Sequence, residues 1–182
     1  TDEVGRDIAS RLAFGGRVSV SVGVLAMVVA LSAGTLLGAL AGYFGGLIDG
    51  IIMRFTDVML SIPGIFLIIA LSVFFGPSVS TIVLAIGLLN WMQVARVVRS
   101  VFLSLKEQEF VTAARCLGAK SGRIMWMHIL PNAMAPLMVA ATLSIGSAIL
   151  TETSVSYLGL GIQPPMPSWG NMLKNAQDVI WS

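Results

Sequence analysis

Long apolar runs separated by short polar stretches dominate this chain. No charged residue occurs from Val18 to Ile48, from Val58 to Ala95, or from Ile124 to Thr151. Each run reaches the ~20 residues that a helix needs to cross a hydrocarbon core. A helix on the surface of a soluble protein would show charge on one face every turn or two. The pattern predicts membrane-spanning helices over 18–43, 58–75, 79–98 and 133–150. Pro63-Gly64 predicts a kink or a broken first turn in the second. Gly76-Pro77-Ser78 is a turn, Pro131 closes the polar stretch before the last span, and Pro136 falls in that span's first turn. The polar stretches are an N-terminal arm (1–17) with an amphipathic turn around Ile8, Leu12 and Phe14, a connector (44–57), a charged segment (100–132), and a loop rich in Gly, Pro and Ser (151–182). Leu173 to Ile180 reads as a short helix within that loop.

Within and just beyond the first span, Ala30, Gly34, Gly38, Gly42 and Gly46 recur every four residues. On a helix they form one stripe. Lipid supplies no hydrophobic drive between helices, so such stripes mark places where helices approach closely.

Composition agrees with a membrane protein. The chain of 182 residues is 56% hydrophobic and 11% charged, with mean hydropathy +0.89. An ordinary soluble domain carries about 25% charged residues. A chain of this length is also too short to wrap several apolar helices in a soluble shell. The net charge of +2 reflects topology and not a nucleic-acid stripe, because the basic residues cluster. Arg96, Arg99, Lys106, Arg115, Lys120 and Arg123 all lie between the third and fourth spans, which puts that segment in the cytoplasm. Alternation then puts 44–57 in the cytoplasm, and 1–17, Gly76-Pro77 and 151–182 outside. Arg6, Arg11 and Arg17 in the outer arm run against the rule. Arg96 and Arg99 are expected to snorkel to the cytoplasmic surface, and Arg54 and Asp57, three apart, to pair locally in the connector beside Asp49. Cys116 is the one cysteine, so no disulfide forms within the chain. The hydrophilic opening is not a signal peptide, and both ends read as cuts through a longer protein.

The cytoplasmic segment carries the most information. Phe110, Ala113, Ala114 and Leu117 follow i, i+3, i+4, i+7 spacing and predict a short helix with an apolar stripe. Glu109 near its start and Arg115 near its end suit the helix dipole. Gly118 ends the helix or permits a close approach, and a second helical piece runs from Ser121 to Leu130. Two short helices joined by a bend suit a docking surface for a soluble partner, or an interfacial helix lying on the membrane.

The pattern from Thr112 to Pro131 resembles the cytoplasmic loop of permease subunits of bacterial ABC importers, which reads Glu-Ala-Ala, three residues, Gly, nine residues, Ile, one residue, Leu-Pro. The chain matches at Ala113, Ala114, Gly118, Leu130 and Pro131, and departs at Thr112 and His128. TDEVGRDIASRLAFGGRVSVSVG, AGYFGGLIDGIIMRFTDVMLSIPG and YLGLGIQPPMPSWGNML are similar to further stretches of the dipeptide, oligopeptide and nickel permeases, in the same order. The resemblance implies an all-α, polytopic type I ABC importer permease fold with a cytoplasmic coupling helix. It points to the second, C-type, permease subunit in a bacterial plasma (inner) membrane. It also implies that the family's first helix precedes Thr1 and its last follows Ser182.

By that resemblance, Ala113, Ala114 and Gly118 contact an ATP-binding subunit, with Glu109 and Arg115 at the rim. Further expected partners are a second homologous permease, an extracytoplasmic substrate-binding protein at about Tyr157 to Trp169, and the bilayer. The implied function is ATP-driven import of di- or oligopeptides; nickel or glutathione import and an ion-coupled secondary transporter are the alternatives, beside a membrane scaffold with no transport. ATP and Mg belong to partner subunits, and the chain itself is expected to be neither an enzyme nor a cofactor carrier. Gly118-Ala119-Lys120-Ser121 lacks the first Gly and the Gly-Lys pair of a phosphate loop. His128 is the one histidine and cannot form a histidine cluster. Asn90 and Gln93 are candidates for the substrate path or for helix–helix hydrogen bonds. Glu152, at the outer end of a span, is a candidate for a substrate amine, for an arginine of another subunit, or for the headgroup zone.

Overall fold

The computed structural model describes residues 5–180, with side chains to residue 177. Thr1 to Val4 of the expected outer arm and Trp181-Ser182 of the expected outer loop lie outside the described residues. Helices α1 (Ile8–Phe44), α2 (Gly46–Leu60), α3 (Gly64–Phe75), α4 (Val79–Leu105), α5 (Glu109–Cys116), α6 (Ser121–Arg123), α7 (Leu130–Asn132), α8 (Met134–Tyr157) and α9 (Trp169–Ile180) follow in order, with a π-helical stretch, Ile124–Ile129, between α6 and α7. No strand occurs among the described residues.

Three helices, α1, α4 and α8, are long and apolar enough to cross a membrane, or four spans if the broken pair α2 and α3 counts as one. The expected 58–75 span is divided at Ser61–Pro63. Its second piece, α3, has 12 residues, about 18 Å of helix against a core of roughly 30 Å. The connector is helical over most of its length, and the short helix expected from Leu173 begins at Trp169. Helix α1 starts ten residues before the expected span, because nothing between Ile8 and Val18 breaks it. Asp7 caps it: the Ser10 backbone N–H donates to Asp7 Oδ2 at 2.8 Å. The Ser10 hydroxyl and N–H hold the Asp7 carboxyl below its usual range.

The residues form two compact units. The first takes α1 up to Val29, Ile62–Leu89 with α3, and the chain from Ser144 onward. Its core joins Val22 and Ala26 of α1, Ile68 of α3, Ile82 and Ile86 of α4, and Ala148 and Val155 of α8. A Cβ at Gly23 would lie 2.6 Å from Ile149 Cγ1, and one at Gly87 2.7 Å from Val29 Cβ. Both pairs of helices therefore meet at near backbone contact. Helix α9 packs on the arm: a Cβ at Gly16 would lie 3.0 Å from the Trp169 ring, and Trp169 Nε1–H donates to the Leu12 carbonyl at 3.3 Å.

The second unit takes Ala30–Ser61 and Asn90–Leu143. Here the small-residue stripe meets α4. A Cβ at Gly34 would lie 2.6 Å from Val94 Cβ, one at Gly38 2.5 Å from the Ala95 carbonyl oxygen, and one at Gly42 2.7 Å from the Arg99 carbonyl oxygen. Ala30 is also fully buried. Gly46 does not belong to the stripe. It lies past the helix break, with φ +53°, and nothing approaches it within 4 Å.

Arg96 and Arg99 do not end free at the surface. Arg99 makes a two-pronged contact with Asp49, through Nε to Oδ1 and through Nη2 to Oδ2, the latter at 2.6 Å. Arg96 Nη2 donates to Asp57 Oδ1 at 2.6 Å. The partner of Asp57 is therefore Arg96 on α4, not Arg54 three residues away. Phe55 stacks on Trp91 at 6.2 Å between ring centres, so α2 is fixed to α4 by two ion pairs and one ring pair.

These contacts set two expectations, both read by thermal unfolding of the full-length protein in detergent. Gly38→Ala drives a methyl into the α4 backbone and is expected to cost about 1–3 kcal/mol. Gly50→Ala, inside α2 with open space around it, is expected to be neutral or to gain roughly 0.5–1 kcal/mol. Arg99→Ala strands the partly buried Asp49 and should cost about 1–3 kcal/mol. Arg96→Ala breaks an exposed pair and should cost about 0–1 kcal/mol.

Candidate functional site

Helix α4 gives way to α5 through a tight turn in which the Gln108 N–H donates to the Leu105 carbonyl at 3.2 Å. Gln108 is extended, with ψ 151°, and its side chain does not cap α5. Its carbonyl accepts from Val111 and Thr112 N–H. Glu109 therefore supplies the negative charge that the first turn favours, and Arg115 the positive charge at the last.

Gly118 ends the helix through backbone bonds alone. Its N–H donates to the Arg115 carbonyl at 2.9 Å, and the Ala119 N–H donates to the Ala114 carbonyl at 3.0 Å. This pair is the Schellman arrangement, which needs a left-handed residue at the position of Gly118, and φ there is +78°. No atom lies within 4 Å of a Cβ built on Gly118. The chain then turns through Lys120 into α6 and on, through the π-helical stretch and α7, to α8.

One face of α5 is held inward by Val111, at 0% exposure, and Ala114, at 8%. The Arg115 guanidinium sits 5.8 Å from the centre of the Tyr43 ring at the end of α1. The expected stripe is thus split. Ala114 turns inward with Val111, while Phe110, Ala113 and Leu117 face outward, Leu117 at 88% exposure. A four-residue apolar stripe spans more than 100° of arc, so a helix lying on its own chain buries only one edge of it. Of the expected contact residues, Glu109, Ala113 and Gly118 are exposed, and Arg115 is exposed but engaged with Tyr43. Ala114 is buried against its own chain.

Sequence reasoning missed Val111, the buried anchor. Its i, i+3 spacing to Ala114 was the available signal. The π-helical stretch was also missed. It buries Ile124, Met125 and Ile129 and leaves Trp126 and Met127 exposed. His128, half-buried there, offers its carbonyl to Asn132 Nδ2 at 2.7 Å.

Asn90 and Gln93 belong to the second unit. Asn90 is half-buried, with a buried Nδ2 that has no hydrogen-bond partner among the described residues, and Gln93 is exposed. Glu152 belongs to the first unit and is 0% exposed. The Ser19 hydroxyl donates to its Oε2 and the Ser156 hydroxyl to its Oε1, each at 2.7 Å. The Glu152 carboxyl is thus enclosed by α1 and α8 of its own chain, with Ser19 and Ser156 as its hydrogen-bond partners. Ser19, 133 positions away, could not be matched to it from sequence.

The apolar helices, the closely packed glycine crossings and the bent polar segment define a multi-pass membrane protein. Residues 34–182 match the family described as binding-protein-dependent transport system inner membrane component. The chain is 47% identical over 182 residues to the dipeptide transport system permease protein DppC of Alkalihalophilus pseudofirmus, covering 100% of this chain and 60% of that protein. It is 42% identical over 172 residues to the oligopeptide transport system permease protein OppC of Bacillus subtilis (94% and 56%). It is 42% identical over 176 residues to the glutathione transport system permease protein GsiD of Pectobacterium atrosepticum (97% and 58%). The chain belongs to this family of inner-membrane transport components, with the all-α type I ABC permease fold and a multi-pass plasma-membrane location. It spans 56% to 60% of the length of these three relatives.

A side chain at Gly118 meets strain but no clash. Gly118→Ala is expected to lower stability by about 1–2 kcal/mol, the cost of a left-handed non-glycine residue, and Gly118→Asn by clearly less. Thermal unfolding of both variants checks the order.

Proposed function

We propose that the chain is the membrane-spanning permease part of an ATP-driven importer of di- and oligopeptides. The observation that carries this reading is α5: a short helix clamped to its own chain by Val111, Ala114 and Arg115, with Phe110, Ala113 and Leu117 presented outward. An exposed apolar face on a fixed helix suits a soluble partner that pushes or pulls on it. Names of relatives that transport di-, tri- and oligopeptides support the substrate class.

In this reading the partner at α5 is an ATP-binding subunit, and ATP and Mg bind there. Glu109, Ala113 and Gly118 lie in the contact with Leu117, while Ala114 and Arg115 act from behind by fixing the helix. The surface formed by α5 passes the closure of the ATPase pair to the spans. A second homologous permease completes the path, and an external binding protein delivers substrate at the loop before α9. Asn90 and Gln93 line the path. A glutathione-transporting relative at 42% identity makes a small peptide of that kind the second reading. An ion-coupled transporter is disfavoured, since it normally needs ionisable groups open to the path near the bilayer midplane, and Glu152 is enclosed.

The test uses the complete complex reconstituted in proteoliposomes. Gly118→Asp and Leu117→Asp, both at positions with open space or high exposure, are expected to reduce peptide uptake roughly tenfold or more through loss of coupling. Membrane levels of both variants should match the unmutated protein. Normal uptake by both would sink the assignment, as would purification of an active complex with no ATPase subunit.

A further inference from the structure

Glu152 lies beneath the loop between α8 and α9, and the structure ties it to that loop at Ile162 and at the first residue of α9, Trp169, where the loop ends. The Trp169 N–H donates to Ser19 Oγ at 3.3 Å, and the Ile162 N–H to Ser156 Oγ at 3.0 Å. Both serine hydroxyls donate in turn to the Glu152 carboxyl. Each hydroxyl has one proton. With that proton directed at Glu152, its lone pairs are left to face the loop.

Other hydroxyls on these helices behave differently. Ser21 donates to the Arg17 carbonyl, Thr151 to Ser147 and Ser154 to Leu150, all four residues back along the helix. This is the ordinary habit of a helical Ser or Thr. Ser19 and Ser156 depart from it because Glu152 takes their protons. Without the carboxyl, Ser156 would turn to its own i−4 carbonyl and Ser19 to that of Gly15, and the Ile162 and Trp169 N–H groups would lose their acceptors.

The loop also sits too close to tolerate slack. A Cβ at Gly161 would lie 2.2 Å from Ser156 Oγ, and one at Gly170 2.3 Å from the Thr153 carbonyl oxygen. Asn171 closes the loop from within: its Nδ2 donates to the Met166 carbonyl at 2.7 Å, and its Oδ1 accepts from Ser168 N–H at 3.1 Å. We infer that Glu152 is a positioning residue, which orients Ser19 and Ser156 and so sets the shape of the 158–168 loop offered to the substrate-delivering protein. The last clause rests on the importer reading above; the anchoring of the loop does not.

Two measurements on the complete complex in lipid nanodiscs test this. Hydrogen exchange at single amides reads the anchoring. Glu152→Ala is expected to speed exchange at both Ile162 and Trp169 by about tenfold or more. Ser156→Ala should speed Ile162 alone and Ser19→Ala Trp169 alone. Glu152→Gln, which keeps one acceptor oxygen, should fall between Glu152→Ala and the unmutated protein. Unchanged exchange at both amides in Glu152→Ala overturns the inference, as does a uniform rise across α8, which would mark general unfolding. The second measurement titrates the external binding protein against ATP hydrolysis. Glu152→Ala is expected to raise the half-saturating concentration roughly tenfold with the maximal rate kept. A faster-exchanging loop with an unchanged half-saturating concentration overturns the positioning role alone. Absence of stimulation in the unmutated complex overturns the importer reading and leaves the anchoring to the exchange result.

Discussion

Close backbone contact between α1 and α4 is the constraint on which the second unit depends. Apolar side chains gain nothing by leaving lipid for one another, so association there must come from contact itself. Gly34, Gly38 and Gly42 give up side chains to bring the two backbones together. That approach brings Tyr43, at the end of α1, within reach of Arg115 on α5. Phe102, fully buried where Gly42 meets α4, leads directly into the turn before α5. Helix α5 is thus placed by a crossing made several turns away.

A second theme is how polar groups are satisfied inside an apolar solvent. Several hydroxyls, among them Ser21, Thr56 and Thr151, return their proton to a carbonyl of their own helix. Arg99 and Asp49 neutralise each other through two hydrogen bonds, an arrangement in which a guanidinium fork matches a carboxylate. Glu152 takes a third course, with neutral hydroxyls as its donors. It is therefore a hub of hydrogen bonds, and what it joins is a helix, a second helix and a loop.

Much of the fold was legible in the order of residues. Charge-free runs marked the long helices, because the cost of charge in hydrocarbon leaves few alternatives. The four-residue recurrence from Ala30 to Gly42 marked the tight crossing, although periodicity alone carried it one step too far, to Gly46. Gly118 was readable as a helix end, since few other residues accept a left-handed backbone. What escaped was whatever depends on direction around a helix or on partners far along the chain. Ala113 and Ala114 are adjacent and chemically identical, yet one faces out and the other in, and only the packing of Val111 decides which. Likewise, a local spacing suggested Arg54 for Asp57, while the crossing of α2 and α4 supplied Arg96.

The bend after α5 also has a consequence for the medium in which the protein works. It is held by two backbone hydrogen bonds and a left-handed glycine, none of which carries net charge. The exposed Arg96–Asp57 pair, by contrast, weakens as salt shortens the Debye length, from about 10 Å at 0.1 M to roughly 3 Å at 1 M. The angle between α5 and the following chain is therefore kept, even as the charges around the connector lose their grip. The direction in which α5 leads on into the rest of the chain is thus less sensitive to ionic strength than the tie between α2 and α4.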